Sequence, residues 1–157
     1  MNNFQHQHTA HCESGVMSTM LKAQGVDFNE AMVFGLASAL TFVYIPLVKV
    51  NGMPLISYRM PPKSIIKNVA KRLKVRLKIQ KFRAPQAGQD ALDLALAENK
   101  LVGLQTSVFW LPYFPPEMRF HFNAHNLIVY GKEHNDYLIS DPVFETVQRC
   151  AAEDLQR

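Results

Sequence analysis

At 157 residues the chain is long enough to fold as one domain around a real core without a disulfide framework, and 48 % apolar with 19 % charged residues excludes a disordered chain. The net charge of +4 is unevenly spread. From Ala31 to Gln89 there is no Asp or Glu, whereas Lys49, Arg59, Lys63, Lys67, Lys71, Arg72, Lys74, Arg76, Lys78, Lys81 and Arg83 all fall there. An electropositive face of this kind favours an acidic partner over a merely solvated surface. Two cysteines, Cys12 and Cys150, point to a reducing compartment. No signal-peptide pattern opens the chain, and the most apolar run, Ala31–Val48, is broken by Gly35, Ser38, Thr41 and Pro46. The expectation is a cytoplasmic protein with no membrane span.

Residues 1–11 are polar, carry three histidines and read as an extended surface segment. Ser14 is placed to cap a helix over about Ser14–Gln24, with Val16, Met17, Met20 and Leu21 at helical spacing and Gly25 as its stop. Asn29 caps a second helix that is apolar nearly all round and should be buried. Thr41–Val50 reads as a strand despite Pro46, and Asn51-Gly52 as a turn. Pro61-Pro62 introduces a third helix over about Lys63–Leu73, with Ile65, Ile66, Val69, Ala70 and Leu73 inside and Lys63, Lys67, Lys71 and Arg72 outside. Val75, Leu77 and Ile79 then alternate with Arg76, Lys78 and Gln80 as a strand with a basic face.

Asp90 caps a short helix over Ala91–Asn99, and Leu101–Gln105 is a buried strand. Phe109–Met118, with three prolines and four aromatic residues, is a shaped loop suited to walling an acyl pocket. Ala124–Gly131 and Tyr137–Ser140 are strands joined by a polar loop over Lys132–Asp136, and Asp141-Pro142 ends the second. Helices first and antiparallel strands last make an α+β chain, a single domain over 1–157.

The chemistry gathers on three residues. A thiol at a helix N-terminus, as at Cys12, faces unpaired backbone N–H groups and the positive end of the helix dipole, both of which favour thiolate. The final hairpin brings His125, at the start of one strand, to the same end as Asp141, at the close of the next. A carboxylate on one imidazole nitrogen fixes the tautomer and leaves the other nitrogen free to take a thiol proton. Cys, His and Asp in that order are the components of acyl transfer through a thioester.

The segments His11-Cys12-Glu13-Ser14-Gly15, Glu30 to Leu36, the stretch through Lys49-Val50-Asn51-Gly52, and His125 with Asp141-Pro142 resemble the N-terminal domain family of butirosin biosynthesis protein H, over about His11–Phe144. That resemblance implies a papain-like fold, similar to the cysteine peptidases that remove double-glycine leaders. It implies an acyltransferase that moves an aminoacyl group from an acyl carrier protein to an aminoglycoside amine. By position it makes Cys12 the nucleophile, His125 the base and Asp141 the orienting acid. It implies no bound cofactor beyond the carrier's phosphopantetheine arm, a small-molecule acceptor with an amine or hydroxyl, and an acidic carrier on the basic face of Lys63, Lys67, Lys71, Arg72, Arg76 and Lys78. Papain-like enzymes place an oxyanion-hole glutamine six residues before the cysteine; this chain has His6 there, so Gln5 and Gln7 beside it are the candidates, with the Cys12 N–H as a second donor. Family members carry a further C-terminal region, so the chain reads as a short form or as the N-terminal part of a longer protein.

Other readings compete. A cysteine peptidase of the double-glycine leader type would share the fold and triad. His6, His8, His11 and Cys12 form H-x-H-x2-H-C, a set of zinc or copper ligands, but no second ligand pair follows at a structural-site spacing, so no metal is expected. Nucleic-acid binding would rest on charge alone, without a groove-reading or base-stacking motif. An inactive carrier-protein-binding module on the same fold is the remaining reading.

Overall fold

Three helices open the chain in the order the periodicity predicts: α1 (Cys12–Ala23), α2 (Glu30–Leu36) and, after a hairpin of β1 (Leu40–Val50) and β2 (Met53–Arg59), α3 (Ser64–Leu73). The second half consists of α4 (Pro85–Ala97), β3 (Val102–Thr106), β4 (His125–Glu133), β5 (Asp136–Ser140), β6 (Gln148–Ala151) and the short α5 (Ala152–Leu155). The computed structural model describes residues 4–50, 52–121 and 123–156.

There are two cores. Met17 and Leu21 of α1, Val33 of α2, Ala37 and Ala39, and Ile65, Val69 and Ala70 of α3 bury one another in a helical lobe. The sheet β3-β4-β5-β6, antiparallel throughout, buries Leu127, Val129, Tyr137, Ile139 and Cys150 against Leu92 of α4, Ala152 of α5 and the loop residues Val108, Leu111 and Phe114. Helix α1 belongs to both halves, packing on α2 and α3 and also on β4. Gly103 of β3 permits this approach: a Cβ there would stand 3.2 Å from Met20 Sδ and 3.6 Å from Val16 Cγ1.

Buried carboxylates tie the helical lobe together. Glu13, in the first turn of α1, accepts from the backbone N–H groups of Lys63 and Ile66, both at 3.1 Å. It thereby caps α3, whose own N-cap residue, Lys63, makes no side-chain cap bond and sits at φ 73°. A Glu capping a helix distant in sequence is invisible to local cap rules. Arg72 in turn donates to the Leu36 carbonyl at the C-terminus of α2.

Several expectations are corrected. Helix α1 starts two residues before Ser14, and its N-cap is His11. Helix α2 buries only Val33, with Met32 51 % exposed, because it packs by one face on α1 and α3. Helix α4 begins at Pro85, in the N1 position that suits proline, and not near Asp90. The alternating 75–80 segment is not a strand: no neighbouring strand pairs with it among the described residues, and Val75, Leu77 and Ile79 are 41, 43 and 48 % exposed. Alternation supplies a face but not a partner. Strand β3 is half-buried rather than buried, and the β4–β5 turn is confined to His134 and Asn135, with Glu133 still paired to Asp136. Strands β2 and β6 have no counterpart in the sequence reading. Hairpin β1–β2 contacts chiefly itself and leaves Phe42, Tyr44, Leu47 and Tyr58 exposed. Asn51 of the expected turn lies outside the described residues; Gly52 supplies the left-handed φ of 81°. Among the described residues no helix is long and apolar enough to cross a membrane.

Removing the Glu13 cap leaves two α3 N–H groups without their acceptor in a mostly dry site. Glu13→Ala should cost about 1–3 kcal/mol, read from the denaturation midpoint, with Glu13→Gln recovering part of it. A loss near zero would contradict the cross-helix cap.

Candidate active site

Cys12 is the first residue of α1 and is half-buried. The chain reaches it in a fixed posture, because the Glu30 carboxylate in the first turn of α2 accepts from the N–H of Ala10 at 2.9 Å, the N–H of His11 at 2.7 Å and the Ser14 hydroxyl at 3.0 Å. His11 then caps the helix through Nδ1, which accepts from the Ser14 N–H at 3.4 Å. Burial, and then the nearby Arg59 charge, lower the His11 pKa although Glu30 opposes them, which suits a neutral ring accepting at Nδ1. Gly15 completes the turn. A Cβ there would lie 2.0 Å from Thr9 Oγ1 and 2.9 Å from Pro142 Cβ, so only glycine lets α1 meet the segment that follows β5. The Thr9 N–H donates to the Pro142 carbonyl at 2.7 Å across the same junction.

The other two residues come from the β4–β5 hairpin. Ser140 pairs with Ile128, so Asp141 falls beside Leu127, two residues from His125 and on the same face of the sheet. His125 Nε2 meets Asp141 Oδ2 at 2.6 Å, with both side chains buried. The carboxylate is satisfied further by the Tyr113 hydroxyl on Oδ2 at 2.9 Å and the Val143 N–H on Oδ1 at 3.2 Å. A buried charge needs such partners. Burial, and then the Asp141 charge, hold the Tyr113 hydroxyl protonated, so it is a dependable donor. Phe114 stands edge-on to the imidazole, with ring centroids 5.3 Å apart. The Phe109–Met118 loop therefore contributes Tyr113 and Phe114 to the surroundings of the His–Asp pair, with short 3₁₀ turns at Val108–Trp110 and Pro116–Met118.

With Nε2 occupied, Nδ1 is the His125 nitrogen left for Cys12, and the two groups shift each other's ionisation. Burial opposes ionisation of both. On His125, the hydrogen bonds to Asp141 and Cys12 and their charges outweigh it and raise the pKa to about 9. On Cys12, the hydrogen bond to His125, the backbone of Asn126 and the His125 charge outweigh it and bring the thiol below its ordinary value. Both shifts act in the direction of a thiolate–imidazolium pair. Cys150 is the contrast: burial, then the Asp154 and Asp136 charges, push its thiol up to about 12, so it is no second nucleophile.

Cys12, His125 and Asp141 are thus brought together. Gln5 is exposed and Gln7 half-buried. His6, at the glutamine position, is engaged on the turn after β5, its Nδ1 2.7 Å from the Ser140 hydroxyl and its Nε2 donating to the Phe144 carbonyl at 3.0 Å. Among the described residues no three His, Cys, Asp or Glu side chains cluster closely enough to hold a metal ion. Of the basic residues, Lys67, Lys71, Arg76 and Lys78 are exposed, Lys63 is half-buried beside Glu13 at the start of α3, and Arg72 is exposed but turned onto α2.

A cavity of about 330 Å³ lies at the end of β3, lined in part by Gln105, Thr106, Ser107, Trp110 and His121; Thr106 pairs with His125 across the sheet. A larger one, about 720 Å³, lies near Asp93, Tyr130 and Lys132 and includes no triad residue. Sequence reasoning missed Glu30, Glu13, Tyr113 and Asn126. Only Glu30 carried a signal, as an acid in a helix first turn, and that rule concerns its own helix.

The family described as butirosin biosynthesis protein H, N-terminal, matches residues 11–142. No curated protein matches the chain. Among solved structures it is similar to the peptidase domain of Streptococcus ComA, a bi-functional ABC transporter involved in a quorum-sensing pathway, at 17 % identity and a TM-score of 0.58, with 98 % of this chain and 90 % of that one covered. The chain therefore has the papain-like α+β fold of that peptidase domain.

Gly15→Ala forces Thr9 or Pro142 away from α1. It should destabilise the protein by about 1–3 kcal/mol, in the range of overpacking, and slow alkylation of Cys12 by iodoacetamide. Unchanged stability and reactivity would show that the junction yields freely.

Proposed function

The chain belongs to the butirosin biosynthesis protein H N-terminal family, and we propose that it acts there as a cysteine acyltransferase. The observation that carries the reading is the buried His125–Asp141 pair at 2.6 Å, joined to a thiol at the first residue of a helix. The Cys12 thiolate attacks the carbonyl carbon of an acyl thioester on the phosphopantetheine arm of a carrier protein. The new C–S bond forms as the carbonyl electron pair moves to oxygen. On collapse the carrier's thiolate leaves and takes the proton held at His125 Nδ1. An amine or hydroxyl acceptor then attacks the acyl-Cys12 thioester, gives its proton to His125 and releases the Cys12 thiolate. Asp141 holds the ring so that Nδ1 serves both transfers.

The donor class is supported by charge. Lys63 opens α3 beside Glu13, and so beside the start of α1. Lys67, Lys71, Arg76 and Lys78 extend the positive surface, with Arg72 contributing although it also binds α2. An acidic acyl carrier protein suits that surface. The fold shared with a peptidase domain favours one second reading, cleavage of a peptide by the same three residues.

The test is intact-protein mass after incubation with carrier proteins loaded with short and long acyl thioesters, beside extended peptides as competitors. Wild type should gain one acyl group on Cys12. Cys12→Ala should gain none, and His125→Ala should be slowed by about 10²-fold or more, the scale of a lost general acid–base. Peptide cleavage without acyl transfer would favour the peptidase; neither activity would leave a carrier-binding module. The rate of acylation should follow a bell in pH. It rises as the thiol loses its proton, below the ordinary cysteine range. It falls again near pH 9 as His125 loses the proton needed by the leaving thiolate. A rate still rising above that limb would contradict the imidazolium's role.

A further inference from the structure

The sulfur of Cys12 has a third partner that the triad does not include. Asn126 follows His125 on β4, is only 3 % exposed, and points its side-chain amide toward α1. Nδ2 lies 3.0 Å from the Ala124 carbonyl and 3.8 Å from Cys12 Sγ. A primary amide nitrogen carries two hydrogens, and these contacts employ both. The Ala124 carbonyl also fixes which way the amide faces, because a flipped Oδ1 would oppose one acceptor with another.

We propose that Asn126 is a further catalytic residue, which receives the Cys12 sulfur as thiolate by donating its side-chain N–H. The proposal rests on Cys12 being the nucleophile. Its place in the cycle follows from the proton count. While the acyl group sits on Cys12, His125 must be neutral to accept a proton from the incoming amine or hydroxyl. The acceptor's bond to the acyl carbon forms, its proton passes to Nδ1, the C–S bond breaks, and the electron pair returns to sulfur. At the outset of that step no cation faces the departing sulfur. Donors whose charge state never changes stabilise it throughout. One strand thus supplies both the group that moves the proton and the group that holds the anion.

The distinguishing experiment is the pH profile of Cys12 alkylation by iodoacetamide in the full chain, for wild type, Asn126→Ala and Asn126→Asp, with folding checked by circular dichroism. The Asp variant keeps the shape of the side chain should the Ala variant not fold. Cys150 stays silent because its thiol is pushed up to about 12. In both variants the inflection should move upward by about one pH unit, roughly a tenfold loss on its acidic side, while the alkaline plateau does not fall and rises by no more than about threefold, since a thiolate's nucleophilicity grows with its pKa. An inflection that stays at the wild-type position overturns the proposal, as does a plateau that falls with no shift, which marks a merely structural residue. A wild-type inflection already at the ordinary thiol value overturns the nucleophile reading itself, and is told apart because it requires no variant.

Discussion

The carboxylate of Glu30 grips the two backbone N–H groups that lead into Cys12, and the rest of the site depends on that grip. Without it, the Ala10 and His11 N–H groups would reach α1 with no acceptor. Glu30 takes the Ala10 and His11 N–H groups, His11 takes the Ser14 N–H, and Gly15 lets the turn press on Thr9 and Pro142. On the opposite side of the same turn Glu13 reaches out to cap α3. The nucleophile therefore sits where all three helices of the first lobe are fastened to one another, and where that lobe meets the sheet.

The sheet lobe solves a different problem. A His–Asp pair at the end of a hairpin is costly to bury, because two charges leave water, and the cost is offset only when every remaining lone pair finds a donor. Tyr113 and the Val143 N–H fill that need for Asp141, and Phe114 closes the apolar side of the ring. The loop from Phe109 to Met118 is accordingly built into the core through Leu111 and Phe114, while Trp110 and Leu111 also line the cavity at the end of β3. A helical lobe that presents the Cys12 thiol meets a sheet lobe that presents the His125 imidazole, with α1 packed between them.

Cys12, His125 and Asp141 could be singled out in the sequence because each lies at a punctuation mark. Cys12 precedes a helical repeat, His125 opens a buried run and Asp141 precedes proline. The helices were legible for the same reason, with Asn29 and Gly25 acting where local rules place them. What escaped was every feature set by a distant partner. Ser14 is a better local cap than His11, yet Ser14 gives its hydroxyl to Glu30. The 75–80 segment has flawless alternation and no strand beside it. Tyr113 and Asn126 look like loop aromatic and strand polar residues until the fold sets one against Asp141 and the other against Cys12. His6, at the position where register places an oxyanion glutamine, is likewise held by a distant partner, since it anchors the extended lead-in on the turn after β5.

The whole account turns on whether Cys12 and His125 exist at neutral pH as thiolate and imidazolium. The direct measurement is an ultraviolet titration of thiolate absorbance, taken as the difference between wild type and Cys12→Ser. The account predicts a thiolate signal already present at neutral pH, lost on acidification through a single step below the ordinary thiol range, and shifted upward in His125→Ala. A difference signal that appears only at the ordinary thiol value of 9.0, with no response to His125→Ala, would contradict it.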